Sequence, residues 1–156
     1  MKPKNCLIFG ASGQIGRHLI RKLTKNNYKV TAVTRNLHRK GYLLKTQASA
    51  GWIECIEANI FDEKKLRYLV SSADICINMI GILYENRKQK FSKIHAEIPN
   101  VISKLCSQSE VKKFIHISAI GANENSKSKY QKSKFQGEVN ALNNFKNTVV
   151  VRPSVV

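Results

Sequence analysis

The chain has 156 residues, 42% of them hydrophobic, and carries 27 Lys and Arg against 10 Asp and Glu, a formal net charge of +17. That length sets a single domain over residues 1–156 as the expectation, and the apolar fraction suffices for a packed core. No run approaches the ~20 apolar residues of a membrane-spanning helix. The N-terminus, MKPKNCLIFGAS, passes straight into an apolar run, so no signal peptide is expected.

The charge is uneven: all eleven charged residues before Glu54 are Lys or Arg. A basic field attracts nucleotides, nucleic acid, anionic lipid or an acidic protein partner. An AT-rich genome, which favours Lys, Asn and Ile together, accounts for the same bias. Cys6, Cys55, Cys76 and Cys106 show no CxxC spacing, and the first three lie in apolar strand-like runs. They read as buried, reduced thiols of a cytosol-like compartment, with no metal site.

The first strand is the run Cys6 to Phe9, followed by GASGQIG and an amphipathic stretch from Gln14 to about Lys25. A second strand, Lys29 to Thr34, completes a βαβ unit of dinucleotide-binding type. Gly10 suits the tight exit from the strand. Gly13 lets backbone approach a pyrophosphate, and Gly16 lets the helix sit close to the strand. The helix N-terminus offers free N–H groups and a positive dipole end. Gly10, Ser12, Gly13, Gln14, Ile15 and Gly16 are therefore the candidate phosphate contacts. Ile15, Leu19, Ile20 and Leu23 share one helical face, which can cover a sheet.

At the end of the second strand, where NAD binders commonly place a carboxylate for the ribose hydroxyls, this chain has Arg35. A guanidinium there suits a 2′-phosphate, so NADP(H) is favoured over NAD(H). Arg39 and Lys40 follow closely, and Arg17 is placed to approach the same point. Residues 36–51 read as a helix or a long loop. A third strand runs from Trp52 to Ala58, and Asn59 and Ile60 fall where such domains contact adenine. Asp62 is a helix cap for Glu63 to Val70. The fourth strand, Ile75 to Met79, leads into Asn78-Met79-Ile80-Gly81, with Asn78 and Gly81 expected beside the cofactor.

A charged loop, residues 82–90, precedes a long helix from Phe91 to Ser107. Pro99 is expected to kink or break it. His95, on this helix, reads as a packing or surface residue rather than a catalyst. The fifth strand is Lys113 to Ser118, with His116 facing the core or the sheet. A polar loop, 121–128, can cap the helix Lys129 to Asn143, and Thr148 to Arg152 is the sixth strand. Strands alternating with helices predict an α/β fold: a doubly wound parallel Rossmann sheet of order 3-2-1-4-5-6.

Tyr130 and Lys134 stand at i and i+4 on the helix after the fifth strand, and Ser118 ends that strand. These residue types suit carbonyl reduction. Lys134 would hold the nicotinamide ribose and lower the tyrosine pKa, Tyr130 would exchange the proton, and Ser118 would place the substrate oxygen. The hydride chemistry belongs to the cofactor.

With both constellations, the chain resembles the short-chain dehydrogenase/reductase superfamily, in its extended and atypical branches. GASGQIG is similar to their glycine motif and YQKSK to their YxxxK. The nearer resemblance is to the complex I-associated branch, relatives of the NADPH-binding accessory subunit of NADH:ubiquinone oxidoreductase. It rests on INMIGILYE (77–85), FSKIH (91–95), HISAIGAN (116–123), SKYQKSKFQGE (128–138) and VVRPSVV (150–156). The resemblance implies tight NADPH binding, a structural or stabilising role, and a C-terminal substrate region beyond the RPS segment. Because the sequence stops at Val156, it is expected to be truncated relative to that family. Asn59 stands where the family commonly has an aspartate near adenine.

Three functions remain open: an NADP-binding accessory or assembly protein of complex I, an active NAD(P)-dependent oxidoreductase or epimerase, and a nucleotide-sensing or RNA-binding module. The last lacks an RNA-recognition motif and an aromatic platform, which argues against nucleic acid. A cytoplasmic or organelle-matrix location follows, with contact to an acidic partner or to the anionic surface of the inner membrane.

Overall fold

The computed structural model describes residues 3–154. Six parallel strands, β1 (Lys4–Phe9), β2 (Tyr28–Thr34), β3 (Ile53–Glu57), β4 (Ile75–Asn78), β5 (Lys113–Ile117) and β6 (Thr148–Val151), form one sheet in the order β3-β2-β1-β4-β5-β6. This is the expected Rossmann topology. In-register pairs such as Phe9↔Val33, Phe9↔Asn78 and Ile117↔Val151 align the carboxyl ends of the strands along one edge. Because β1 has β2 on one side and β4 on the other, the connections reverse direction there and leave a crevice above its end.

Side-chain alternation along β1 feeds two cores. Leu7 and Phe9 join one with Leu66, Ile98, Ile102 and Phe114. Cys6 and Ile8 join the other with Ile20, Val30, Leu44 and Ile77. The flanking helices are α1 (Gln14–Lys25), α2 (Leu37–Lys45), α3 (Glu63–Ser71), α4 (Ile98–Ser107) and α5 (Lys129–Asn144). Ile20 is fully buried under α1, and Leu19 and Leu23 pack partly beside it; Ile15 is half-buried and outside that cluster. Residues 36–51 resolve into α2 and a following turn. Asn36 caps α2 through the Arg39 N–H (2.9 Å), and Asp62 caps α3 through the Lys65 N–H (3.1 Å), as its sequence position implied.

The long helix expected after residue 90 divides. Ser92–Glu97 is a wide π turn, and α4 begins at Ile98 with Pro99 in its first turn. Proline lacks the N–H that a regular α-helix would direct at the His95 carbonyl, so the helix widens into the π turn just before it while Glu97 and Ile98 stay helical. Helix α5 packs against it: Asn140 Nδ2 donates to the Ala96 carbonyl (3.0 Å), and a Cβ on Gly137 would overlap the His95 carbonyl oxygen.

All four cysteines are free thiols. Cys55 is only half-buried because β3 is an edge strand, whereas Cys106 is buried in the core. Strand β6 stops at Val151. Arg152, expected within it, turns its guanidinium to the buried Glu138 carboxylate (Nε–Oε1 2.8 Å). The last two residues of VVRPSVV, Val155 and Val156, lie outside the described residues.

Candidate functional site

The glycine turn opens the site. Gly10 leaves β1 at φ +81°, a left-handed conformation that side chains resist, and an added Cβ would sit 2.8 Å from the Met79 backbone. Gly13 is exposed at the start of α1, with no side-chain cap over the helix N-terminus. Gly16 is buried against Ala11, whose carbonyl a Cβ would overlap, so the helix sits directly on the turn that leaves β1.

Above this turn lies a cleft of about 1120 Å³ along the carboxyl edge of the sheet. Its walls include Gly10, Ser12, Gly13, Arg35, Asn59, Ile60 and Gly81, seven of the predicted cofactor residues. Gln14 and Ile15 stand just inside α1, and their side chains do not line the cleft. Asn78 is fully buried beneath it: Oδ1 accepts from the Ile80 N–H (3.1 Å), and Nδ2 meets His116 Nδ1 (3.2 Å).

The wall holds four cations, Arg35, Lys40, Arg87 and Lys88, and no carboxylate. Glu57, at the end of the neighbouring strand, accepts instead from the Leu37 N–H at the start of α2 (2.6 Å). Arg87 and Lys88 had no sequence signal beyond membership of a charged loop. Arg17, placed by the sequence near Arg35, does not line the cleft; its Nε is buried without a partner among the described residues.

Lys134 and Tyr130 lie beyond the Gly81 end of the cleft, and Lys134 reaches the carbonyl of Ile117, the residue before Ser118. A Cβ on Gly81 would stand 3.5 Å from Lys134 Nζ and 3.7 Å from His95 Nε2. Lys134 is buried, its Nζ donates to the Ile117 carbonyl (3.1 Å), and burial lowers its pKa to about 8, with Glu138 partly opposing. Burial pushes the Tyr130 phenol above its ordinary range. The lysine-driven lowering expected from the i, i+4 spacing is not what this geometry produces: desolvation wins, and the phenol is held neutral.

His95 is a packing residue, one of the two readings its sequence position allowed. It is 1% exposed and links three elements. Nε2 accepts from the Ile82 N–H (3.0 Å), so the proton sits on Nδ1, which meets Ser133 Oγ (2.9 Å). Ser133 in turn donates to the Tyr130 carbonyl (2.7 Å). Phe91 stacks on the imidazole at 5.3 Å, and Tyr130 meets it edge-on at 5.2 Å. Burial and the Lys134 charge lower the His95 pKa to about 4, consistent with a neutral ring. His116, lowered to about 3 by burial first and Lys134 second, is also neutral.

Two buried polar atoms in this region have no partner among the described residues, His116 Nε2 and Ser118 Oγ. Buried polar atoms are normally satisfied, so they point to water or to a ligand group. With an open helix N-terminus, a glycine floor and a cationic wall, the residues present fit a dinucleotide laid across the strand ends.

Comparisons with known proteins agree. A family model described as NAD(P)H-binding matches residues 10–150. The mitochondrial NADH-ubiquinone oxidoreductase 40 kDa subunit of Neurospora crassa is 29% identical over 147 residues, 94% of this chain and 39% of that protein. Subunit 9 of the NADH dehydrogenase [ubiquinone] 1 alpha subcomplex of Dictyostelium discoideum is 32% identical over 149 residues, 96% of this chain and 41% of that protein. The chain thus spans about two fifths of the length of these relatives. A putative NAD-dependent epimerase/dehydratase from Bacillus halodurans superposes with a TM-score of 0.82 at 19% identity, covering 97% of this chain and 70% of that one. UDP-glucuronic acid 4-epimerase from Bacillus cereus, solved with NAD, gives 0.79 at 20% identity, covering 97% and 57%. By its glycine turn, its sheet order and these matches, the chain belongs to the NAD(P)H-binding family and carries a Rossmann fold.

Proposed function

We propose that this chain binds NADP(H) in preference to NAD(H) and serves as the nucleotide-binding part of an accessory or assembly protein of respiratory complex I. The cofactor preference rests on one observation: a cationic cleft wall, with Arg35 at the end of β2, that contains no carboxylate to receive a free ribose 2′-hydroxyl. The complex I assignment rests on the relatives named as subunits of that enzyme. In this reading Gly10, Ser12, Gly13 and the N–H groups of Gln14 and Ile15 hold the pyrophosphate. Gly16 keeps α1 close to β1, Arg35 takes the 2′-phosphate, and Asn59 and Ile60 flank adenine. Asn78 shapes the floor under Gly81, and Lys134 reaches the nicotinamide ribose.

The protein would act in the cytoplasm or organelle matrix, its basic surface turned to an acidic partner or to the inner membrane. No helix among the described residues is long and apolar enough to cross a membrane. The deciding experiment is thermal melting with NADPH, NADP, NADH and NAD in turn. Ligand at a hundred times its Kd should add about 2.7 kcal/mol to the folded state. A shift confined to the phosphorylated pair is expected; equal shifts, or none, overturn the cofactor preference.

A second reading, an active oxidoreductase or epimerase, is favoured by Ser118 Oγ, buried without a partner among the described residues and one residue on from the Ile117 carbonyl that Lys134 reaches. A bound nicotinamide would supply the hydride, Tyr130 the proton, and Ser118 a hydrogen bond to the substrate oxygen. Tyr130→Phe should then abolish turnover and leave cofactor affinity intact. The relatives named as complex I subunits favour the accessory role as the main reading.

A further inference from the structure

We propose that the turn Asn86–Gln89 is the second half of the 2′-phosphate site, with Arg87 and Lys88 gripping that phosphate from the side opposite Arg35 and Lys40. The inference rests on the NADP(H) reading above and assigns a specificity role to a loop that the glycine motif does not involve.

Its place in the fold comes first. After Gly81 the chain swings out and returns at Phe91, and Lys93 Nζ then sits 4.3 Å from the centre of the Phe61 ring. Phe61 lines the cleft beside Asn59 and Ile60, which the reading above sets against adenine, and Asn86–Gln89 line that same cleft. Arg87 and Lys88 share the cleft wall with Arg35 and Lys40.

The turn is built. Asn86 Oδ1 accepts from the Lys88 N–H (2.9 Å) and the Gln89 N–H (2.8 Å), and the Asn86 N–H donates to the Gln89 carbonyl (3.0 Å). The adjacent Glu85 carboxylate is engaged by the Phe91 N–H (2.9 Å). Among the described residues the ion pairs are Lys112–Asp74 and Arg152–Glu138, so no carboxylate neutralises any of these four cations. Four like charges around one cleft repel one another until an anion enters. The open N-terminus of α1 already suits the pyrophosphate. A second anion is needed to match the four cations, and a phosphate monoester on the adenosine ribose, at about −1.5 to −2 charge, supplies it.

The test is calorimetric titration of the full chain with NADPH and with NADH, for the wild type, R87Q/K88Q and R35Q. All these side chains are exposed, and apo melting checks that each variant folds. Two lost, partly solvated ion pairs should weaken NADPH about tenfold in R87Q/K88Q and leave NADH within about twofold. An equal fall for both nucleotides would overturn the proposal, because the turn would then only shield the cleft. Unchanged NADPH affinity in R87Q/K88Q, with R35Q impaired, would overturn it and leave the NADP(H) reading standing. A wild type without preference for NADPH would overturn both.

Discussion

Lowering the pH from 7 to 5 tests the buried histidines, and with them the hydrogen-bond link between the cleft and helix α5. His95 and His116 are each 1% exposed, with pKa values lowered to about 4 and about 3. In the unfolded chain each would titrate near 6.5. As pH falls through that value, the unfolded state takes up two protons that the folded state refuses, so stability drops. The loss levels off only below the folded values. Linkage over these two pH units gives about 2 kcal/mol per histidine, about 4 kcal/mol together. Urea unfolding, followed by the single tryptophan, Trp52, would give the free energy at pH 7, 6 and 5. His95→Gln and His116→Asn should each remove about half of the pH dependence, whatever their effect at pH 7. A wild type that loses less than about 1 kcal/mol, or variants that keep the full dependence, would refute the claim that both rings are held neutral by burial.

Gly137→Ala forces a methyl into the His95 carbonyl, so α5 must move off the π turn. Overpacking should cost at least about 2 kcal/mol, a fall of roughly 4–8 °C in Tm by calorimetry. A Cβ on Gly13 meets only the Gly10 carbonyl, at 3.4 Å, so in Gly13→Val apo stability should change by no more than about 1 kcal/mol, while the melting shift with NADPH disappears. Lys134→Met removes a buried ammonium and should raise apo stability by about 1 kcal/mol while shrinking the NADPH shift; a loss of apo stability would show that the lysine is structural.

Much of this fold is written in short-range pattern. Runs such as Cys6–Phe9 and Thr148–Val151 are strand-like over a few residues. The GASGQIG spacing specifies a tight turn and a close helix, and alternation of strands with helices leaves few sheet orders. Pro99 marked its helix break because a missing N–H is a local property. Asp62 was legible as a cap for the same reason: it reaches an N–H three residues on.

The site depended on contacts that no local pattern encodes. Arg35 and Arg87 lie in segments far apart in sequence, and a charged loop reads as solvated surface until the fold carries it to the cleft wall. His95 meets Ile82 and Ser133 across 13 and 38 residues, and its neutrality follows from burial among other elements. The i, i+4 spacing of Tyr130 and Lys134 correctly put them on one helix face, but their acidities were decided by desolvation. Desolvation depends on what the rest of the chain packs around a group. The sequence by itself determined the strands, the glycine turn and the sheet order, because those follow from periodicity and backbone freedom over a few residues. Only the tertiary structure decided which cations share the cleft, which histidine ties the site together and which protons stay in place.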